Sequence, residues 1–142
     1  DPAKLEAAKA AGADHVFDST DPATRKEIIK LTGGGLRGAV DFVGSDKSTG
    51  FGISVMGPSG KLAIVGLFGG AITIPVPSFP LKNLTICGSY VGSPTEMGDL
   101  MDLAKAGKVP ALPVAERPLD QAQQTLDDLR EGKIVGRCVL VP

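Results

Sequence analysis

The chain has 142 residues, the size of one ordinary domain and enough to bury one sizeable core. Apolar residues make up 42% and charged residues 22%, with a net charge of −1 and acids and bases mixed along the chain, so the basic stripe of a nucleic-acid binder is excluded. No apolar run approaches the roughly 20 residues of a membrane span, no segment reads as a signal peptide, and Cys87 and Cys138 read as reduced thiols in apolar runs, so the expected setting is cytoplasmic.

The chain opens "DPAKLEAAKAAGA" directly on a helix start, with Asp1 as N-cap and Pro2 in the first turn. Natural domains rarely begin on a cap, so a piece of a longer chain is expected. Lys4 to Ala11 predicts a helix closed by Gly12, and "DHVFD" (14–18) a short strand. "DPATRKEIIKLTGG" (21–34) repeats the pattern of cap, proline, helix and terminal glycines. "GAVDFVG" (38–44) reads as a strand, Ser45 to Met56 as a helix, "GPSG" (57–60) as a turn and "KLAIVGL" (61–67) as a buried strand. This alternation predicts an α/β, doubly wound parallel sheet with helices on both faces.

The proline-punctuated run 69–83 reads as an edge strand or extended loop. "LTICGSYVG" (84–92) predicts a strand and 93–109 a helix with Ser93 as cap. Residues 111–118 are extended. Residues 119–133 predict an amphipathic helix with Leu119, Ala122, Leu126 and Leu129 on one face, and 134–142 a closing strand.

Gly33, Gly35 and Gly38 spell G-x-G-x-x-G, the spacing of a dinucleotide-binding loop. That loop needs a strand before it and a helix after it, so that free N–H groups and the helix dipole meet the phosphates. Here a helix leads in and a strand leads out, which marks a helix-to-strand turn on the far side of the sheet from any ligand. The glycines expected near a ligand follow strands, in "DFVGS" (41–45), "IVGLFGG" (64–70) and "GSYVG" (88–92). His15 reads as structural. Asp41, mid-strand, reads as a support for its loop through hydrogen bonds, and Asp99 and Asp102 as a solvated helix face. One histidine and two distant cysteines offer no metal spacing.

"LEAAKAAGADHVFD", "LTGGGLRGAVDFVGS", "GPSGKLAIVGL", "GSYVGSPTEMGDLMDLAKAGKV" and "LREGKIVGRCVLVP" together resemble the zinc-type alcohol dehydrogenases of the medium-chain dehydrogenase/reductase superfamily. The resemblance covers essentially the whole chain. It implies an incomplete Rossmann-type sheet: 1–110 as a partial dinucleotide-binding domain lacking its first strands and glycine fingerprint, and 111–142 as a segment returning toward a catalytic domain. NAD or NADP is the implied cofactor, with NAD preferred, and zinc is expected in an N-terminal domain outside this chain.

Carried over residue by residue, the resemblance implies these cofactor contacts. Lys4 reaches the adenosine ribose, although a solvated helix lysine is an equal alternative. Phe42, Val43, Gly44 and Ser45 run along the adenosine half, and Val65, Gly66 and Leu67 meet the nicotinamide side. Ser89, Tyr90 and Val91 pin the carboxamide through main chain, which is compatible with the apolar residues also serving as strand core. Arg137 contacts the pyrophosphate, a task suited to a planar bidentate donor, and an arginine inside an apolar strand needs some partner. No catalytic and no metal-binding residue is expected in this chain.

The implied whole is an NAD(P)-dependent oxidoreductase moving hydride between nicotinamide and an alcohol or aldehyde, with this piece inactive alone. The alternatives are a zinc-free quinone or enoyl reductase of the same superfamily and a stand-alone α/β nucleotide-binding or interaction module. A homo-oligomer paired through the apolar strand 84–89 is expected, with no nucleic-acid or membrane partner.

Overall fold

The computed structural model describes all 142 residues. Helix α1 (Pro2–Ala10) starts where the cap predicts: the Asp1 carboxylate accepts from the Ala3 amide at 3.0 Å. Chain contacts divide the molecule into two compact units, Asp18–Ser93 and Asp1–Phe17 with Pro94–Pro142.

In the unit spanning 18–93, helix α2 (Thr24–Leu31) is shorter than the cap-to-glycine pattern, because Asp21 and Thr24 are spent on a turn: Asp21 accepts from the Ala23 amide and Thr24 donates to Asp18 O. Gly33, Gly34 and Gly35 then take φ of +63°, +129° and +113° and turn the chain into β1 (Leu36–Asp41). At Gly35 a Cβ would stand 2.5 Å from the Gly57 amide nitrogen, so backbone meets backbone there and no larger residue fits. The triplet is thus a helix-to-strand turn, as its order in the sequence predicts.

Helix α3 (Asp46–Val55) crosses over to β2 (Met56–Ile64), and α4 (Ser78–Lys82) precedes β3 (Thr85–Gly88). The three strands form a parallel sheet in the order β1-β2-β3. "GPSG" lies within β2 and still bends it: Leu36 pairs with Met56 but Gly38 with Lys61, and Ser59 takes φ +57°. The run 69–83 forms no edge strand. It makes one isolated bridge, Gly69 to Ser45, then winds into α4, which ends on left-handed Asn83. Residues 14–18 form no strand and take part in no ladder; His15 stacks on Phe17.

The core is smaller than the chain length allows. Ile28, Val55, Met56, Leu62 and Leu84 are the buried apolar side chains, all in this unit, with Met56, Leu62 and Leu84 clustered between sheet and helices. In the other unit α1 and α5 (Pro94–Lys105) bury nothing fully. There β4 (Val114–Pro118) pairs in parallel with β5 (Arg137–Val141), joined by one turn of tighter helix and α6 (Ala122–Arg130). The apolar face expected on this helix is largely uncovered: Leu119, Leu126 and Leu129 are all more than 45% exposed. Instead Thr125 is buried, and Arg117 on β4 donates to it and to Asp128 (2.7 Å). The Arg117 guanidinium and then the Gln124 amide hold the Asp128 carboxyl below the usual carboxylate range. Both cysteines are free thiols.

Candidate functional site

In a parallel sheet every strand points its carboxyl end to the same edge, and ligands of doubly wound folds bind beyond that edge. Here the edge carries three connections, after Asp41, Ile64 and Gly88. Asp41 ends β1 and is 7% exposed. Its Oδ1 accepts from the amides of Val43 (2.9 Å) and Gly44 (3.0 Å), and its Oδ2 from Ser48 Oγ (2.9 Å) and Thr49 Oγ1 (2.7 Å). Burial by itself would push this carboxyl up. The bonds from Gly44, Thr49, Val43 and Ser48 outweigh it and hold the group below the usual carboxylate range. Asp41 is therefore an ionised acceptor that shapes the turn, in agreement with its reading as a loop support, and its acceptor capacity is taken up by the chain itself.

Ser45 follows as the cap of α3, in a reciprocal capping box with Ser48. The connection after β2 is zipped onto this turn. Val65 and Gly66 donate to Asp41 O (2.9 and 3.0 Å), Phe68 to Val43 O (3.1 Å) and Gly69 to Gly44 O (3.0 Å). The connection after β3 joins through the Ser89 amide, which donates to Ile64 O at 2.9 Å. Where the first two cross, Gly44 and Gly66 lie backbone on backbone: a Cβ on Gly44, whose φ is +67°, would fall 1.9 Å from Gly66 O.

Within this unit the structure thus brings together Phe42, Val43, Gly44 and Ser45 with Val65, Gly66, Leu67 and Ser89. Phe42, Val43, Leu67, Tyr90 and Val91 are exposed rather than strand core, because each lies past the last ladder bond of its strand. A cavity of about 720 Å³ is lined by Phe42, Val43 and Ser45 with Ser19, Thr20 and Lys47 among others, and one of about 320 Å³ by Gly44, Ser45, Gly66 and Leu67 with Gly69 and Gly70. Lys4 and Arg137 belong to the other unit. Lys4 is exposed on α1, its Nζ close to the Gly132 turn. Arg137 was expected inside an apolar strand. It is instead the first, exposed residue of β5; its amide donates to Pro113 O, and its guanidinium makes no hydrogen bond or ion pair.

The supporting hydroxyls of Ser48 and Thr49 escaped the sequence reading. A Ser-Thr pair one turn into a helix, seven and eight residues after a strand-ending Asp, is the signal that could have found them.

The family model of zinc-binding dehydrogenases matches residues 1–106. The chain belongs to this family. It is 37% identical over 139 residues to an NAD-dependent alcohol dehydrogenase of Sulfurisphaera tokodaii, covering 97% of this chain and 40% of that protein. A more distant relative, at 30% over 132 residues, is the D-arabinose 1-dehydrogenase (NADP(+)) of Saccharolobus solfataricus, with 92% of this chain and 37% of that protein covered. Among solved structures, the alcohol dehydrogenase of Aeropyrum pernix superposes with a TM-score of 0.89 at 37% identity, covering all of this chain and 41% of that one. The chain thus spans about 40% of the length of the relatives it matches.

The residues of this chain do not fit a zinc ion. No group of three or more His, Cys, Asp or Glu side chains comes together, and His15 is the one histidine of the chain. A dinucleotide at the carboxyl edge would meet hydroxyls at Ser45 and Ser89 and exposed apolar side chains at Phe42, Leu67 and Tyr90.

The last glycine of the G-x-G-x-x-G spacing gives a clean control. Gly38 lies in β1 with no atom within 4 Å of where a Cβ would stand, and its φ is not left-handed. Gly38→Ala is expected to change unfolding stability by no more than a surface substitution does, within about 0.5 kcal/mol, and to leave dinucleotide binding unaltered. A tenfold loss of binding in that titration would restore the fingerprint reading.

Proposed function

We propose that this chain is the cofactor-holding part of an NAD(P)-dependent alcohol dehydrogenase. Residues 1–110 supply part of the dinucleotide-binding domain, and 111–142 return toward the catalytic domain. The observation that carries the reading is the zipped carboxyl edge of the β1-β2-β3 sheet, in a chain that matches alcohol dehydrogenases along nearly its full length. Phe42 to Ser45 take the adenosine half, Val65 to Leu67 the nicotinamide side, and Ser89 to Val91 the carboxamide, with Lys4 on the ribose and Arg137 on the pyrophosphate. When bound, the cofactor would serve as hydride acceptor for an alcohol or hydride donor for an aldehyde. This chain's contribution is to bind and orient it. NAD is favoured over NADP by the named cofactor of the Sulfurisphaera relative, and a cytoplasmic location goes with the reading.

The test compares the 142-residue chain with the full-length protein that contains it, assayed for alcohol-dependent NAD(P) reduction. Turnover by the full-length protein and none by the chain is expected. Steady turnover by the chain alone, or a full-length protein inert toward alcohols and aldehydes, overturns the proposal.

The strand expected to pair between copies is β3, which lies at one edge of its sheet and carries no charge. Sedimentation of the full-length protein is expected to give a dimer or larger, and Ile86→Lys to shift it toward monomer. A strict monomer at micromolar concentration contradicts the pairing.

A further inference from the structure

The outer strands of a sheet are where one chain can pair with another, and in this sheet they are β1 and β3. β3 is four residues long and β1 six. The chain makes no hydrogen bond on the outer side of β1. Native edges are often blunted by a proline or by a charge held out beside the strand. β1 has no proline, and both its charged side chains are engaged within the chain. Arg37 donates to Pro58 O on β2, and Asp41 accepts from the four donors of its own turn. Apolar side chains remain at the edge: Val40 is 54% exposed and Phe42, just past the ladder, 76%. The cavity of about 720 Å³ opens beside them, with Leu36, Ala39 and Val40 among its walls.

The sequence of β1 complements itself. Two copies of a strand related by a two-fold axis run antiparallel, and facing residues share one side of the sheet. With the axis at Ala39, Gly38 faces Val40 of the second copy and Arg37 faces Asp41 of the second copy. The first pairing sets a projecting side chain beside a position with no atom within 4 Å of where a Cβ would stand. The second sets opposite charges across the pair. Asp41 keeps its own four donors, so the gain there is the absence of repulsion. An axis at Arg37 or at Asp41 puts like charges directly opposite, which is unfavourable, and an axis at Gly38 or at Val40 loses the opposite-charge pairing. We propose that this chain binds a second copy of itself edge to edge along β1, antiparallel and centred on Ala39, joining the two sheets into one. The contact does not depend on the cofactor reading. It is also separate from the β3 pairing proposed for the full-length protein, in which the resemblance implies further strands of this same sheet.

The experiment sediments the 142-residue chain carrying Ile86→Lys, which blocks pairing through β3. A dimer at micromolar concentration is expected. Adding Val40→Lys, at an exposed position, is expected to weaken that dimer by about tenfold or more. A second measurement reads the register and needs no charged variant. Facing Cα atoms of an antiparallel pair stand about 4.5–5.5 Å apart, within reach of a disulfide. In a chain with Cys87→Ser and Cys138→Ser, Ala39→Cys is therefore expected to cross-link two copies under oxidised glutathione. Phe42→Cys in the same background is expected not to, because it lies more exposed but far from its own copy. The proposal is overturned if the Ile86→Lys chain sediments as a monomer, if Val40→Lys leaves the dimer intact, or if Phe42→Cys cross-links as readily as Ala39→Cys.

Discussion

Gly66→Ala is expected to cost about 5–7 kcal/mol of stability. A Cβ at Gly66 would lie 2.1 Å from Val43 C, 2.3 Å from Val43 O and 2.5 Å from Phe42 O. All three are backbone atoms, so no side chain can swing aside. The post-β1 and post-β2 connections must part, and four bonds go with them: Val65 and Gly66 to Asp41 O, Phe68 to Val43 O, and Gly69 to Gly44 O. Overpacking alone costs about 1–3 kcal/mol, and each lost bond adds about 1. Gly50→Ala in α3 is the matched control, since nothing lies within 4 Å of its added methyl and its backbone is helical. It is expected to stabilise by about 0.5–1 kcal/mol through helix propensity. Urea midpoints of the two variants measure both; equal midpoints contradict the close-approach argument.

The second large effect belongs to Asp41. Asp41→Ala removes the acceptor of four donors at a 7% exposed position, two of them backbone amides, and is expected to lose about 3 kcal/mol at pH 7. Asp41→Asn keeps one oxygen for the two amides and turns a donor toward two hydroxyls that can rotate, so about half that loss is expected. The pH dependence separates charge from shape. The folded-state pKa lies below the ordinary carboxylate value, so the native state holds the group ionised while the unfolded chain protonates first. The stabilisation is fully present above about pH 4 and is lost as pH falls through the folded value. Asp18, held down by the Thr20 hydroxyl and amide, and Asp128, held down by Arg117, act in the same direction. Thermal melts between pH 2 and 7 are therefore expected to show a shallower acid slope in Asp41→Asn than in the parent, but not a flat one. An unchanged slope means that Asp41 does not titrate with folding.

Much of this was legible in the sequence. The order helix, glycines, strand disqualified Gly33, Gly35 and Gly38 as a phosphate loop, and the backbone agrees, because a G-x-G-x-x-G spacing has meaning only through the elements that flank it. Ser45 was legible as a helix start, and Asp41 as a loop support. What was not legible depends on neighbours that period and propensity do not encode. "DHVFD" has strand character but no strand beside it. Leu119, Leu126 and Leu129 form a helical stripe, yet the chain places Thr125 and the Arg117–Asp128 pair inward there. The left-handed backbone at Val91, φ +45°, likewise has no sequence signature, since β-branched residues disfavour it.

The four bonds of Asp41 reach residues two, three, seven and eight positions ahead. Loops this short close on a scale of tens of nanoseconds, and their closure entropy is small. The carboxylate bonds of the turn are thus all made within one stretch of nine consecutive residues, while the four backbone bonds from 65–69 bring in a second segment. The turn can begin to order locally, before the second strand's connection arrives to lock it.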